Sequence, residues 1–73
     1  MRETLGDIIR NARIQKGLTQ KQAANICYIC EAQIVKLEKN LSKKPRVSTL
    51  EVVAKGLDLD LDLLLEAVSR ISS

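Results

Sequence analysis

The side chains in this sequence with chemistry to offer are two thiols and an uneven set of charges. Cys27 and Cys30 form a C-x-x-C pair, the spacing of a redox dithiol or of half a metal site. A structural zinc site needs four Cys or His ligands, and the chain has two Cys and no His, so it cannot close one alone. The pair also fits a plainer reading, with Cys27 filling an apolar core position and Cys30 standing in for a helix cap, since free cysteine is commonly buried. That reading is preferred to a thiol–disulfide activity, because nothing supplies a substrate cleft. No catalytic set, cofactor, metal or small-molecule ligand is implied, and the chain is expected not to be an enzyme.

The charges are more informative than the net +3 suggests. Residues 1–46 hold ten Lys/Arg against four Asp/Glu, and residues 47–73 hold two against five. Such asymmetry suits a basic face for a polyanion and a second face kept off it. Lys39, Lys43, Lys44 and Arg46 are concentrated around Pro45.

The elements that must position these groups are helices. Seventy-three residues allow one domain, 1–73, near the lower limit for a core without staples. Hydrophobic residues make up 45%, yet Tyr28 is the sole aromatic, so the core must be aliphatic, which favours packed helices. No apolar run approaches the ~20 residues of a membrane span, and no secretory signal is recognisable, so a cytoplasmic protein with reduced thiols is expected.

Thr4 caps the first helix, Leu5, Ile8, Ile9 and Ala12 give it one buried stripe, and Gly17 ends it as a left-handed residue. Thr19 and Gln22 form a capping box for a second helix, which runs to about Cys27 with Ala23 and Ala24 on its packed face. Cys27-Tyr28-Ile29 is a corner. A third helix runs from about Glu31 to Lys39, buries Ile34 and Leu37, and stops at Asn40, which tolerates the left-handed conformation. Leu41 to Arg46 is a basic loop. Ser48-Thr49-Leu50-Glu51 reads as another capping box, opening a fourth helix whose buried side is Val47, Leu50, Val53, Ala54 and Leu57. Asp60 caps a fifth, in which Leu61, Leu64, Leu65 and Val68 continue the core and Ile71-Ser72-Ser73 frays.

Helices two and three, joined by a three- or four-residue turn, make a helix-turn-helix, whose second helix can enter a DNA major groove. At 100° per residue, with Ile34 and Leu37 inward, Ala32, Val35 and Lys36 point outward and Glu31 lies on the rim. Lys36 can donate to guanine, Glu31 can accept from cytosine N4, and Ala32 or Val35 can touch a thymine methyl. A solvated face, or a face for a protein partner, is the competing reading.

Arg13-Ile14-Gln15-Lys16-Gly17-Leu18-Thr19-Gln20 resembles the R-x-x-x-G-L-T-Q signature of phage repressor and Cro (XRE-like) helix-turn-helix proteins. Ala24, Ile29, Ile34, Leu37 and Glu38 fall at that family's positions, and the tail from Thr49 to Asp62 is similar to its ending. Leu37 through Pro45 resembles the longer loop of the SinR-like branch. The likeness covers roughly residues 5–65. Two positions depart from it: Tyr28 stands where the family usually has Gly at positive φ, so the turn is either built differently or strained, and Cys30 replaces a Ser or Thr cap.

The resemblance implies an all-α, compact five-helix lambda-repressor-like domain of a bacterial or phage-derived repressor. It would be a sequence-specific transcriptional regulator on double-stranded DNA, working as a homodimer on a two-fold operator. The resemblance selects Glu31, Ala32 and Lys36 for base reading, flanked by Gln33, with Val35 added from the helix geometry. Phosphates would be held by Gln20, Lys21, Lys39, Asn40, Lys43, Lys44 and Arg46. It also implies a partly buried ion pair between Arg13 and Glu38. Val52, Leu63 and Ile71 fall off the core stripes and would supply the dimer contact. The alternative is a protein-interaction module on the same fold, an antitoxin-like or SinR-like partner binder.

Overall fold

The computed structural model describes residues 3–42 and 44–72, the last two by backbone alone. They form five helices: α1 (Leu5–Gln15), α2 (Gln20–Cys27), α3 (Glu31–Glu38), α4 (Val47–Leu57) and α5 (Leu61–Ser72), with no strand among the described residues. The starts of α1, α2 and α5 are where capping chemistry puts them. Thr4 Oγ1 accepts from the Asp7 N–H at 3.2 Å and Asp7 returns to the Thr4 N–H; these bonds hold the Asp7 carboxyl below its ordinary pKa. Asp60 Oδ1 accepts from the Asp62 N–H at 3.0 Å.

Each of the first four helices is followed by one left-handed residue: Gly17, Tyr28, Asn40 and Asp58, with φ of 69°, 58°, 59° and 56°. After each, an apolar residue turns back and its N–H reaches a carbonyl in the last turn: Leu18 to Arg13 (3.1 Å), Ile29 to Ala24 (3.0 Å), Leu41 to Lys36 (2.9 Å) and Leu59 to Ala54 (2.7 Å). This is the Schellman arrangement. Leu18, Ile29 and Leu59 pack against the core, whereas Leu41 stays exposed.

The core is aliphatic, as the lone aromatic requires. Leu5, Ile9, Ile34, Leu50, Leu57, Leu64, Val53 and Cys27 are its largest buried side chains, each full burial stabilising by roughly 1.5–3 kcal/mol for a Val, Leu or Ile. Helix α2 packs on α3 and α4, α1 on α3, and α5 on α4 and α1. Lys16 Nζ meets Asp58 Oδ2 at 2.6 Å, tying the ends of α1 and α4.

Three expectations are corrected. Helix α4 starts at Val47 with Arg46 as N-cap and no side-chain cap, so Ser48-Thr49-Leu50-Glu51 lies inside the first turn and is not a capping box. Val47, expected in the core, is 52% exposed; it shares the helical face of Leu50 and Ala54 but is the first residue of α4, ahead of the turns that pack. Helix α5 continues to Ser72 instead of fraying at Ile71; Ser73 lies outside the described residues.

Candidate nucleic-acid interface

The α2–α3 unit is built from short-range chemistry. Thr19 Oγ1 accepts from the Gln22 N–H at 3.1 Å and Gln22 Oε1 from the Thr19 N–H at 2.9 Å. At the corner the turn is not rebuilt to suit Tyr28: the residue adopts the left-handed conformation and is 91% exposed. Cys30 is the N-cap of α3, where Gln33 Oε1 accepts its N–H at 3.2 Å; the reciprocal half falls to a thiol, a weak acceptor.

Helix α3 buries Ile34, Leu37 and Glu38 and exposes Glu31, Ala32, Gln33 and Lys36. Val35, expected outward, is half-buried. The exposed row therefore carries a carboxylate, a methyl, an amide and an ammonium on one short helix.

The far end of α3 is fixed by polar bonds. Arg13 Nε donates to Glu38 Oε2 at 2.6 Å and Nη2 to Oε1 at 3.1 Å, a bidentate pair. Its side chains are 16% and 4% exposed. Arg13 Nη1 also donates to the Leu18 carbonyl at 2.9 Å, and Gln20 Nε2 to Glu38 Oε1 at 3.2 Å. Burial of these charges is tolerable because the carboxylate is fully engaged, and no buried side-chain polar atom among the described residues is left unsatisfied.

Beside this cluster, Asn40 Oδ1 accepts the Gly6 N–H at 2.9 Å and Nδ2 donates to Thr4 Oγ1 at 3.0 Å. Gly6 lies so close to α3 that a Cβ there would sit 2.8 Å from the Leu37 carbonyl oxygen and nearer still to that of Glu38. Gln20 and Asn40, expected on phosphates, thus have side chains engaged within the protein; a phosphate would have to compete with those bonds or use backbone N–H groups. The sequence held one signal for the Gly6 contact: glycine in a helix costs roughly 0.5–1 kcal/mol against alanine, so its place in α1 calls for a reason. The inward bonds of Gln20 and Asn40 had none, since their partners are distant in the chain.

The cations sort into two groups. Arg10, Arg13, Lys16 and Arg70 pair with carboxylates. Lys21 on α2, Lys36 on α3, and Lys39, Lys44 and Arg46 beyond it are exposed and form no ion pair among the described residues, and the same holds for Lys55 on α4. Lys43 lies outside the described residues. Cys27 is buried and Cys30 exposed, both free; burial pushes the Cys27 thiol pKa up, away from the reactive thiolate. No group of three or more His, Cys, Asp or Glu that could hold a metal occurs among the described residues. No helix there is long and apolar enough to cross a membrane.

Comparison with known proteins agrees with this geometry. No curated protein matches the sequence. Among solved structures, one similar chain is "Crystal structure of the master regulator for biofilm formation SinR in complex with DNA". The two align with a TM-score of 0.78 and 27% identity, covering 85% of this chain and 98% of that one. A family profile described as "Helix-turn-helix" matches residues 9–64, a span that holds α2, α3, α4 and the whole polar cluster. The chain therefore belongs to the XRE-type helix-turn-helix family.

Proposed function

We propose that the protein is a sequence-specific DNA-binding transcriptional regulator, acting as a repressor, that reads the major groove with α3. The observation that carries this is the sorting of cations: among the described residues, five of the six exposed Lys/Arg without an ion pair lie on α2, α3 and the following loop (the sixth, Lys55, is on α4), while those of α1 and α5 are paired. A polyanion would give the unpaired ones their partners. The similar SinR structure is of a DNA complex, which supports the same reading.

In this reading Lys36 donates to guanine, Glu31 accepts from cytosine, Ala32 and the exposed edge of Val35 meet thymine methyls, and Gln33 flanks them. Lys21, Lys39, Lys43, Lys44 and Arg46 hold phosphates, with Gln20 and Asn40 beside them. Two copies would share a two-fold site with half-sites ~34 Å apart. Cytoplasmic residence follows from that role.

A polarisation titration against random duplex at two salt concentrations tests the proposal. Replacing Lys44 or Arg46 with Ala should weaken binding to every sequence and lower the salt slope by about one each. Lys36→Ala should relax preference at one base pair by roughly 1–3 kcal/mol. Binding to duplex that is absent, or indifferent to salt, would sink the reading and leave α3 as a protein-binding face.

A further inference from the structure

Helices α1, α2 and α3 each open on a residue whose N–H is accepted by the side chain three places on: Asp7 for Thr4, Gln22 for Thr19 and Gln33 for Cys30. In α1 and α2 a threonine hydroxyl returns the bond to the backbone. In α3 that return falls to a thiol, a poor acceptor, so the bond from the Cys30 N–H to Gln33 Oε1 carries the cap. Gln33 Oε1 is also the one acceptor that this N–H has among the described residues.

That bond settles which way the Gln33 amide is turned. Only the oxygen of a side-chain amide can receive an N–H, so Oε1 faces the backbone and Nε2 does not. Gln33 is exposed, and its Nε2 has no hydrogen-bond partner among the described residues. The first turn of α3 therefore offers an amino group here, with its N–H donors, while the oxygen is withheld. A free glutamine amide pairs with adenine, donating to N7 and accepting from the N6 amino group at once. With the oxygen held, the N6 amino group of adenine meets only another donor. Guanine instead presents two acceptors, N7 and O6, side by side.

We infer that Gln33 is a specificity-determining residue that selects guanine and rejects adenine, because its capping duty leaves it a donor alone. The inference rests on the reading of α3 as a base-reading helix and says which base one of its residues takes. Gln33 then joins Lys36 as a donor, and Glu31 is the acceptor of the exposed row.

Selection from a random duplex pool with wild type, Gln33→Ala and Gln33→Glu tests this. Wild type should favour guanine over adenine about ten-fold at one base pair, the discrimination of one good contact. Gln33→Ala should lose that preference. Gln33→Glu keeps an oxygen for the cap and has no donor at neutral pH, so it should stay folded and turn the same base pair against guanine. Amide exchange checks the cap without DNA: the Cys30 N–H should exchange more slowly in wild type and Gln33→Glu than in Gln33→Ala. An adenine preference that Gln33→Ala abolishes would show the amide leaving its cap to pair with both groups of adenine. Equal exchange in all three proteins would show no cap to leave; either result overturns the inference. Variants that select the wild-type site unchanged overturn it too, while leaving the DNA reading in place. Duplex binding with no sequence preference at any position would remove the base-reading role of α3 along with it.

Discussion

The two ends of α3 are held in opposite ways. Its C-terminal end is tied to α1 by the Arg13–Glu38 pair, by the Asn40 bonds to Thr4 and Gly6, and by backbone contact at Gly6. Its N-terminal end, which carries Glu31, Ala32 and Gln33, is capped by a thiol and one bond to Gln33. In the proposed reading the helix has its angle set far from the bases it would meet, while at the exposed end Gln33 spends its carbonyl oxygen on the cap and Glu31 forms no ion pair among the described residues. Order is placed where it aims the helix, and polar valence is left open where a ligand would use it.

Breaking the tied end should have the larger effect. Arg13→Ala leaves a buried carboxylate with only Gln20 for a side-chain partner and should cost about 3–5 kcal/mol, read from urea unfolding; a loss below ~1 kcal/mol would make the pair equivalent to a surface one. Gly6→Ala forces α1 off the α3 carbonyls and should cost about 1–3 kcal/mol despite alanine's better helix propensity; an unchanged or raised melting temperature would show that the close approach can relax. At the open end, Cys30→Ser supplies the missing hydroxyl acceptor and should add about 0.5–1 kcal/mol. Slower amide exchange confined to the first turn of α3 would locate that gain, and no change in stability would mean that Gln33 already suffices.

Much of this fold was legible because its signals are local. Thr4, Thr19 and Asp60 cap within three residues, and the aliphatic stripes of α1, α2, α3 and α5 follow one helical period. The start of α4 was misjudged for the same local reason: Ser48 and Glu51 match a capping box, but Arg46 is already in extended geometry after Pro45 and the helix begins at once. The sequence resembles a family in which Arg13 meets Glu38, and the structure has that pair; spacing alone could not have produced it. The partners of Gln20 and Asn40 are fixed by tertiary approach and were out of reach.

Placing Tyr28 outside an entirely aliphatic core also decides what light can report about this molecule. With no Trp or Phe in the chain, near-ultraviolet absorption and emission come from that single phenol. It is in water when the protein is folded and in water when it is not, so unfolding will pass almost unseen at those wavelengths and must be followed through the helical peptide signal. The same ring changes surroundings only when another molecule covers it, which makes its emission a natural, label-free gauge of contact at the α2–α3 corner.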